Sequence, residues 1–324
     1  MKKILVVGGA GYIGSHMVKA LSKAGYLPVV FDNLSTGHKK FVPQSAVFAP
    51  GDLRNPSDVE SVFLSHEIEG VMHFAASSLV GESVADPLKY YENNVAAAVN
   101  LLKKMIEHNV KKLIFSSTAA VYGEPKKTPI SEEHPKDPTN PYGKSKLAIE
   151  NMLLDVSVSH GLSFIALRYF NAAGADSAGT CGEVHHPETH LIPNVLKTLT
   201  GETESVTIFG GDYPTKDGTC VRDYIHVEDL SRAHLLAFEA LAKGKRAEAM
   251  NLGNGEGYSI LEIIRAVEEI TGKKVKTKMG PRRPGDPSIL VASSDKAKKN
   301  LGWKPEKDLR AIVNDAWNWE KAKK

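Results

Sequence analysis

Lys3-Ile4-Leu5-Val6-Val7-Gly8-Gly9-Ala10-Gly11-Tyr12-Ile13-Gly14 opens the chain as a short apolar run that breaks into a glycine-rich loop. Beyond it Ile13, Met17, Leu21 and Ala24 recur at helical spacing until Gly25 stops them, so strand, loop and helix follow one another. Glycines at 8, 11 and 14 allow a tight turn and close backbone approach to a pyrophosphate. The helix start adds free N–H groups and positive potential. Gly8, Gly11 and Gly14 are therefore candidate dinucleotide contacts. Asp32 closes a second strand, where a carboxylate accepts hydrogen bonds from ribose hydroxyls and repels a 2′-phosphate, favouring NAD over NADP. A plain turn aspartate is the competing reading of Asp32.

Further strand-like runs fall at 28–31, 46–49, 71–74, 112–116 and 163–167, with helical stretches at 59–64, 90–107 and 142–158. Strands separated by helices imply an α/β chain with a Rossmann-type doubly wound parallel sheet, covered on both faces. After about residue 172 the period is lost through a Gly-, Ala-, His- and Thr-rich loop at 173–190. Later elements are shorter: helices at 192–199, 228–241, 260–271 and 309–320, and strands at 205–209 and 250–252. The expected organisation is a Rossmann domain over 1–172 with a return segment at about 221–253. A smaller C-terminal α/β substrate-binding domain takes 173–220 and 254–324.

With 324 residues, 42% hydrophobic and 24% charged, the composition is that of a soluble globular protein with room for a large core. A net charge of +3 gives no argument for nucleic acid, and lysine pairs such as Lys273-Lys274 read as solvated faces. Cys181 and Cys220 form no CxxC, so neither a disulfide framework nor a zinc site is expected. No signal-like apolar core and no membrane-length run stands out. The expectation is a cytoplasmic protein with no membrane partner.

Tyr142 and Lys146 stand four residues apart, on one face of a helix. A phenol near pKa 10 is a poor base at neutral pH, but a neighbouring ammonium favours the phenolate. Beside a bound nicotinamide such a tyrosine can take a proton from a hydroxyl while hydride leaves the same carbon. Thr118, at the end of the strand-like run before it, can bridge the substrate oxygen and the tyrosine; satisfying backbone is its competing role. Asp52 and Leu53 could cap the adenine, or simply form a turn. Arg222 and Arg283 can fork onto phosphate oxygens or make surface ion pairs. His185, His186 and His190 lack helical spacing with a third ligand and read as loop histidines, so no metal is expected.

The glycine spacing, the Tyr142–Lys146 pair and the run from Asp212 to Val227 together resemble the extended short-chain dehydrogenase/reductase superfamily. Within it the match is to the UDP-glucose 4-epimerase family, essentially end to end. The resemblance implies an NAD-dependent isomerase that interconverts UDP-glucose and UDP-galactose through a 4-keto intermediate, as a homodimer pairing the helices at 90–107 and 142–158. Tyr142 would be the base, Lys146 would hold the nicotinamide ribose and depress the tyrosine pKa, and Thr118 would assist. Carried over by position, Tyr12, Ile13, Asp32, Asn33, Leu34, Ser35, Thr36 and Gly37 would contact NAD. So would Asp52, Leu53, Phe74, Ala75, Ala76, Ser78, Asn94 and Phe170, with Thr118, Tyr142 and Lys146. Asn171, His190, Leu191, Thr207, Ile208, Phe209, Arg222, Arg283, Pro284, Gly285, Asp286 and Leu290 would line the UDP-sugar pocket with Thr118 and Tyr142.

Two positions depart from the family pattern. Ser78 stands where many members have lysine. Leu290 stands where a larger aromatic excludes N-acetylated sugars, which leaves room for UDP-N-acetylglucosamine. Family dehydratases carry Thr-Asp-Glu after the strand, whereas this chain has Thr118-Ala119-Ala120 and so lacks that acid/base pair. A 4-epimerase of UDP-xylose or UDP-glucuronate, and a non-catalytic NAD-binding sensor, are the remaining alternatives.

Overall fold

The computed structural model describes residues 1–244, 246–283 and 286–323; the expected contacts Pro284 and Gly285 lie outside them. Its strands are β1 Lys3–Val7, β2 Leu27–Asp32, β3 Val47–Pro50, β4 Ile68–His73, β5 Lys112–Thr118, β6 Ser163–Tyr169, β7 Asn171–Ala173, β8 Val206–Phe209, β9 Val221–Arg222, β10 Tyr224–His226, β11 Ala247–Leu252, β12 Tyr258–Ser259, β13 Thr277–Gly280 and β14 Ile289–Leu290. Its helices are α1 Tyr12–Lys23, α2 Pro56–Ser65, α3 Val80–Ala85, α4 Pro87–Tyr90, α5 Ala97–Glu107, α6 Pro141–His160, α7 Leu191–Thr200, α8 Val227–Lys243, α9 Ile260–Thr271, α10 Asp295–Leu301 and α11 Leu309–Ala322.

Two compact units form. The first holds Met1–Gly123, Pro135–Arg168 and Ser231–Met250; the second holds Glu124–His134, Tyr169–Leu230 and Asn251–Lys324. The first is built on a seven-stranded sheet of order β11-β6-β5-β4-β1-β2-β3. Its pairs β1–β2, β1–β4, β2–β3 and β4–β5 run parallel. Strand order reverses between β1 and β4, the point where such sheets open a crevice at the strands' carboxyl ends. Ile4, Leu5, Val6 and Val7 are buried, each contributing roughly 1.5–3 kcal/mol. Around α1 the buried surface is wider than the expected stripe: Tyr12, His16 and Val18 join Met17 and Leu21, while Ala24 is exposed.

The helix expected at 90–107 is three pieces: α4, a π-helical turn Tyr91–Ala96, and α5. The unit boundaries also differ from expectation. Strands β9 and β10 pair with β12, β14 and β7, so the return to the first unit is only 231–250. Residues 124–134 leave it because Ile130 exchanges backbone hydrogen bonds with Val291 and Ser293, both 2.8 Å. In the second unit α7, α9 and α11 pack on one another around Ile192, Val195, Ile263, Val267, Ile312 and Val313. Ser259 and Glu262 close a capping box at the start of α9.

Candidate active site

The glycine loop of the first unit is shaped by approach distances. Gly8 has φ +79°, and a Cβ there would lie 2.6 Å from the Ala75 amide nitrogen. That amide and the Phe74 amide both donate to the Val7 carbonyl, at 3.1 and 2.8 Å. A Cβ on Gly14 would strike the Gly8 carbonyl oxygen. No side chain caps α1, so its positive end faces the loop bare. Asp32 is 8% exposed and accepts from Ala10 N at 2.9 Å and Leu34 N at 2.8 Å. Each carboxylate oxygen retains capacity for a further donor. Bare glycines, an uncapped helix start and a buried carboxylate fit a dinucleotide.

Other expected cofactor contacts separate by exposure. Asn33, Leu34, Ser35 and Thr36 are exposed, Gly37, Ala75 and Ala76 part-buried, and Ser78 exposed. Asp52 is engaged by Arg54 and Asn33, at 2.6 and 2.9 Å, and the Arg54 guanidinium holds its carboxyl far below the usual range. Leu53 is a core residue. Asn94, on the π turn, accepts from Ser77 N at 2.8 Å and donates to Ser77 O and Ser145 Oγ at 3.0 and 3.1 Å. It thereby ties the segment after β4 to α6. π turns recur at functional positions.

Asn140 caps α6 by accepting from Gly143 N at 2.9 Å, with Pro141 in the first turn. A Cβ at Gly143 would meet the Ala120 carbonyl at 2.5 Å, so the start of α6 sits directly against the turn after β5. This sets the Thr118 hydroxyl, which accepts from Ala120 N at 3.1 Å, on the same side of the unit as the start of α6. Tyr142 is part-buried. Burial pushes the phenol up, opposed by the Thr118 hydroxyl. Lys146 is 2% exposed, donates to Ser116 O at 2.8 Å and lies 4.8 Å from the Phe115 ring centre. Burial lowers it to about 7, with Glu150 opposing. His73, wholly enclosed, is pushed down to about 3 by burial, then by Lys146.

Behind the pair lies a network that sequence reasoning missed. Arg168 forks onto Glu150 at 2.9 and 2.5 Å and donates to Tyr122 OH at 2.7 Å. Ser117 Oγ donates to Glu150 at 2.5 Å. The available signal was Glu150, one turn beyond Lys146 on the same helix face.

In the second unit Arg222 is 9% exposed and ion-paired with Asp286. Arg283 lies 4.1 Å from the Phe209 ring centre, a flat cation over an aromatic face. Asn171 Nδ2 donates to Asp223 O at 2.9 Å. Leu290 pairs with Arg222 across β14 and β9, and Thr207, Ile208 and Phe209 form most of β8. Leu191 starts α7 behind an exposed His190. Phe170 is part-buried between β6 and β7.

The model of the NAD dependent epimerase/dehydratase family matches residues 4–253. A UDP-glucose 4-epimerase of Lacticaseibacillus casei is 53% identical over 317 residues, 98% of this chain and 96% of that protein. A solved UDP-glucose 4-epimerase superposes with a TM-score of 0.97 at 52% identity, covering 99% of this chain and 98% of that one. The Bifidobacterium longum UDP-glucose 4-epimerase, solved with NAD+ and UDP, gives a TM-score of 0.95 at 41% identity, with 99% and 98% covered.

Proposed function

The chain belongs to the NAD dependent epimerase/dehydratase family, and on that basis we propose that it interconverts UDP-glucose and UDP-galactose. It is an NAD-dependent isomerase with the Rossmann-type α/β fold of UDP-glucose 4-epimerases. The observation that carries the catalytic assignment is the start of α6, bearing Tyr142 and a buried Lys146 that donates to Ser116 O, set against the end of β5 that bears Thr118, in the unit that holds the glycine loop.

The glycine loop and Asp32 would hold NAD, which when bound would supply a hydride acceptor and donor for the sugar C4. Tyr142 takes the proton of the 4-hydroxyl and returns it, with Thr118 steering that proton between the two oxygens. Burial favours the protonated phenol. A positive charge entering so enclosed a place lowers a phenol strongly, because Coulomb energies grow at low polarity. Lys146 supplies such a charge while its ammonium is retained, which burial opposes and Glu150 favours. Arg222 exchanges Asp286 for phosphate oxygens, and Arg283 clamps the diphosphate from the Phe209 face. A firm hold on the nucleotide and a loose one on the hexose lets the 4-ketose turn over between the two transfers.

Leu290 extends the range to UDP-N-acetylglucosamine, since a leucine leaves space for an acetamido group. A homodimer is supported by exposed Val84, Leu88 and Ile106 on α3 to α5 and Leu154 and Val158 on α6. Cytoplasmic residence agrees with two free cysteines and with the lack, among the described residues, of any helix long and apolar enough to cross a membrane. The test is incubation of the purified chain with UDP-galactose, with UDP-xylose and UDP-glucuronate in parallel. Appearance of UDP-glucose without added NAD is expected. No conversion by protein that retains NAD, or faster turnover of either alternative, overturns the assignment.

A further inference from the structure

The long loop of the second unit gathers Glu183, His185, Glu188 and His190, with one ligand-competent atom of each lying within 4.8 Å of the others. His185 Nδ1 is 3.1 Å from Glu183 Oε1 and 3.8 Å from Glu188 Oε2. His190 Nδ1 is 2.6 Å from Glu183 Oε1 and 3.3 Å from Glu188 Oε1. The two carboxylate side chains are only 6% and 3% exposed, and burying charge is costly unless it is compensated. Yet Glu183 Oε1 makes no hydrogen bond of normal geometry, although two imidazole nitrogens approach it. Each imidazole faces both carboxylates and each carboxylate faces both imidazoles, so the four side chains converge on one point.

That geometry suits a metal ion. Zinc takes imidazole nitrogen and carboxylate oxygen at about 2.0–2.2 Å in a tetrahedron, whose edges are then about 3.3–3.6 Å. The four measured separations straddle that length. A second His–carboxylate group shows the contrast. There His226 accepts from Glu228 N at 3.0 Å, and Lys307 Nζ lies 2.9 Å from both Glu228 and Asp315. Its cation is already present. No lysine or arginine joins Glu183 and Glu188 among the described residues.

We propose that residues 183–190 form a site for one divalent transition ion of the zinc class, held by Glu183, His185, Glu188 and His190. Four protein ligands close the shell, so the ion is structural. It anchors the loop where it enters α7, for which His190 is the N-cap residue. His185, expected to be an ordinary loop residue, and His190, expected also to line the UDP-sugar pocket, acquire this role because two buried glutamates, not a third histidine, complete the set.

The test uses tag-free chain, stripped with chelator and titrated with Zn²⁺ and with Co²⁺ as a spectroscopic probe. One equivalent should bind, with the intense visible bands of tetrahedral Co²⁺ and a rise in melting temperature. His185→Ala and Glu188→Gln should each weaken binding at least about 100-fold, the upper end of what even outer-shell partners cost. His186→Ala, an exposed neighbour, should bind as the unmodified chain does. Absence of stoichiometric uptake by the unmodified chain at micromolar metal overturns the site. So does uptake that survives His185→Ala but is lost in His186→Ala. Titration of the unmodified chain decides the matter even if a variant fails to fold.

Discussion

Replacing Glu150 by alanine removes the acceptor at the centre of the buried network beneath Tyr142 and Lys146. The Arg168 and Glu150 side chains are 3% and 5% exposed, and the carboxylate receives both arms of the fork as well as Ser117 Oγ. Without it the guanidinium keeps its hydrogen bond to Tyr122 OH. An uncompensated buried charge of this kind costs about 3–5 kcal/mol, a fall of roughly 4–7 °C in melting temperature for a chain of this length. A second effect reaches the site: the Glu150 charge props up the Lys146 ammonium, which loses its proton more readily without it. Turnover of Glu150→Ala should therefore fall further behind the unmodified enzyme at pH 8 than at pH 6. Thermal melting and a coupled UDP-galactose assay across that range measure both effects. Glu150→Leu combined with Arg168→Met should regain most of the stability, since apolar groups of similar volume replace a buried pair without large loss. A single-variant cost below about 1 kcal/mol, or a double variant as unstable as the sum of its parts, refutes the reasoning.

Other expected outcomes follow from the same geometry. In ligand-free protein Lys146 loses its proton at about 7, against roughly 10.4 when unfolded. Across that interval the unfolded chain binds more protons, so the Lys146 contribution to stability improves as pH rises and is worst below neutrality. Lys146→Met should then stabilise the ligand-free chain at pH 6, by up to about 5 kcal/mol, and much less at pH 10; equal gains at both values contradict this. Tyr142→Phe should fold and retain NAD but lose about 10²–10⁴ in kcat, and near-normal turnover removes Tyr142 from the chemistry. Leu290→Tyr should depress UDP-N-acetylglucosamine turnover while sparing UDP-galactose; unchanged relative rates dismiss Leu290 as the gate.

The first unit was legible because its signals are local. Val7 to Gly14 states a strand, a turn and a helix start in consecutive residues, and the sheet strands carry apolar runs long enough to read. The second unit was less so. Val221–Arg222, Tyr258–Ser259 and Ile289–Leu290 are two-residue strands, too short for any period to show, and their pairing is fixed by tertiary context. The excursion at 124–134 is set by Ile130, whose partners lie some 160 positions onward. At the site, residue identities were readable but their electrostatics were not. The spacing of Tyr142 and Lys146 suggested that the ammonium governs the phenol, whereas burial dominates both groups. Glu150 and Arg168, and likewise Glu183 and Glu188, are charged residues whose interior positions no local pattern announces.

Strand β11 closes the sheet beside β6, yet residues 170–246 intervene between the two. On a ribosome adding roughly 5–20 residues per second, β6 emerges some 4–15 seconds before its neighbour exists. During that interval its outer backbone groups offer a template to any other nascent chain. Its seven residues are all destined for the interior, so the exposed ribbon is also oily. Yield in a cell should therefore depend on translation speed and on chaperone supply more than the finished enzyme's stability would suggest.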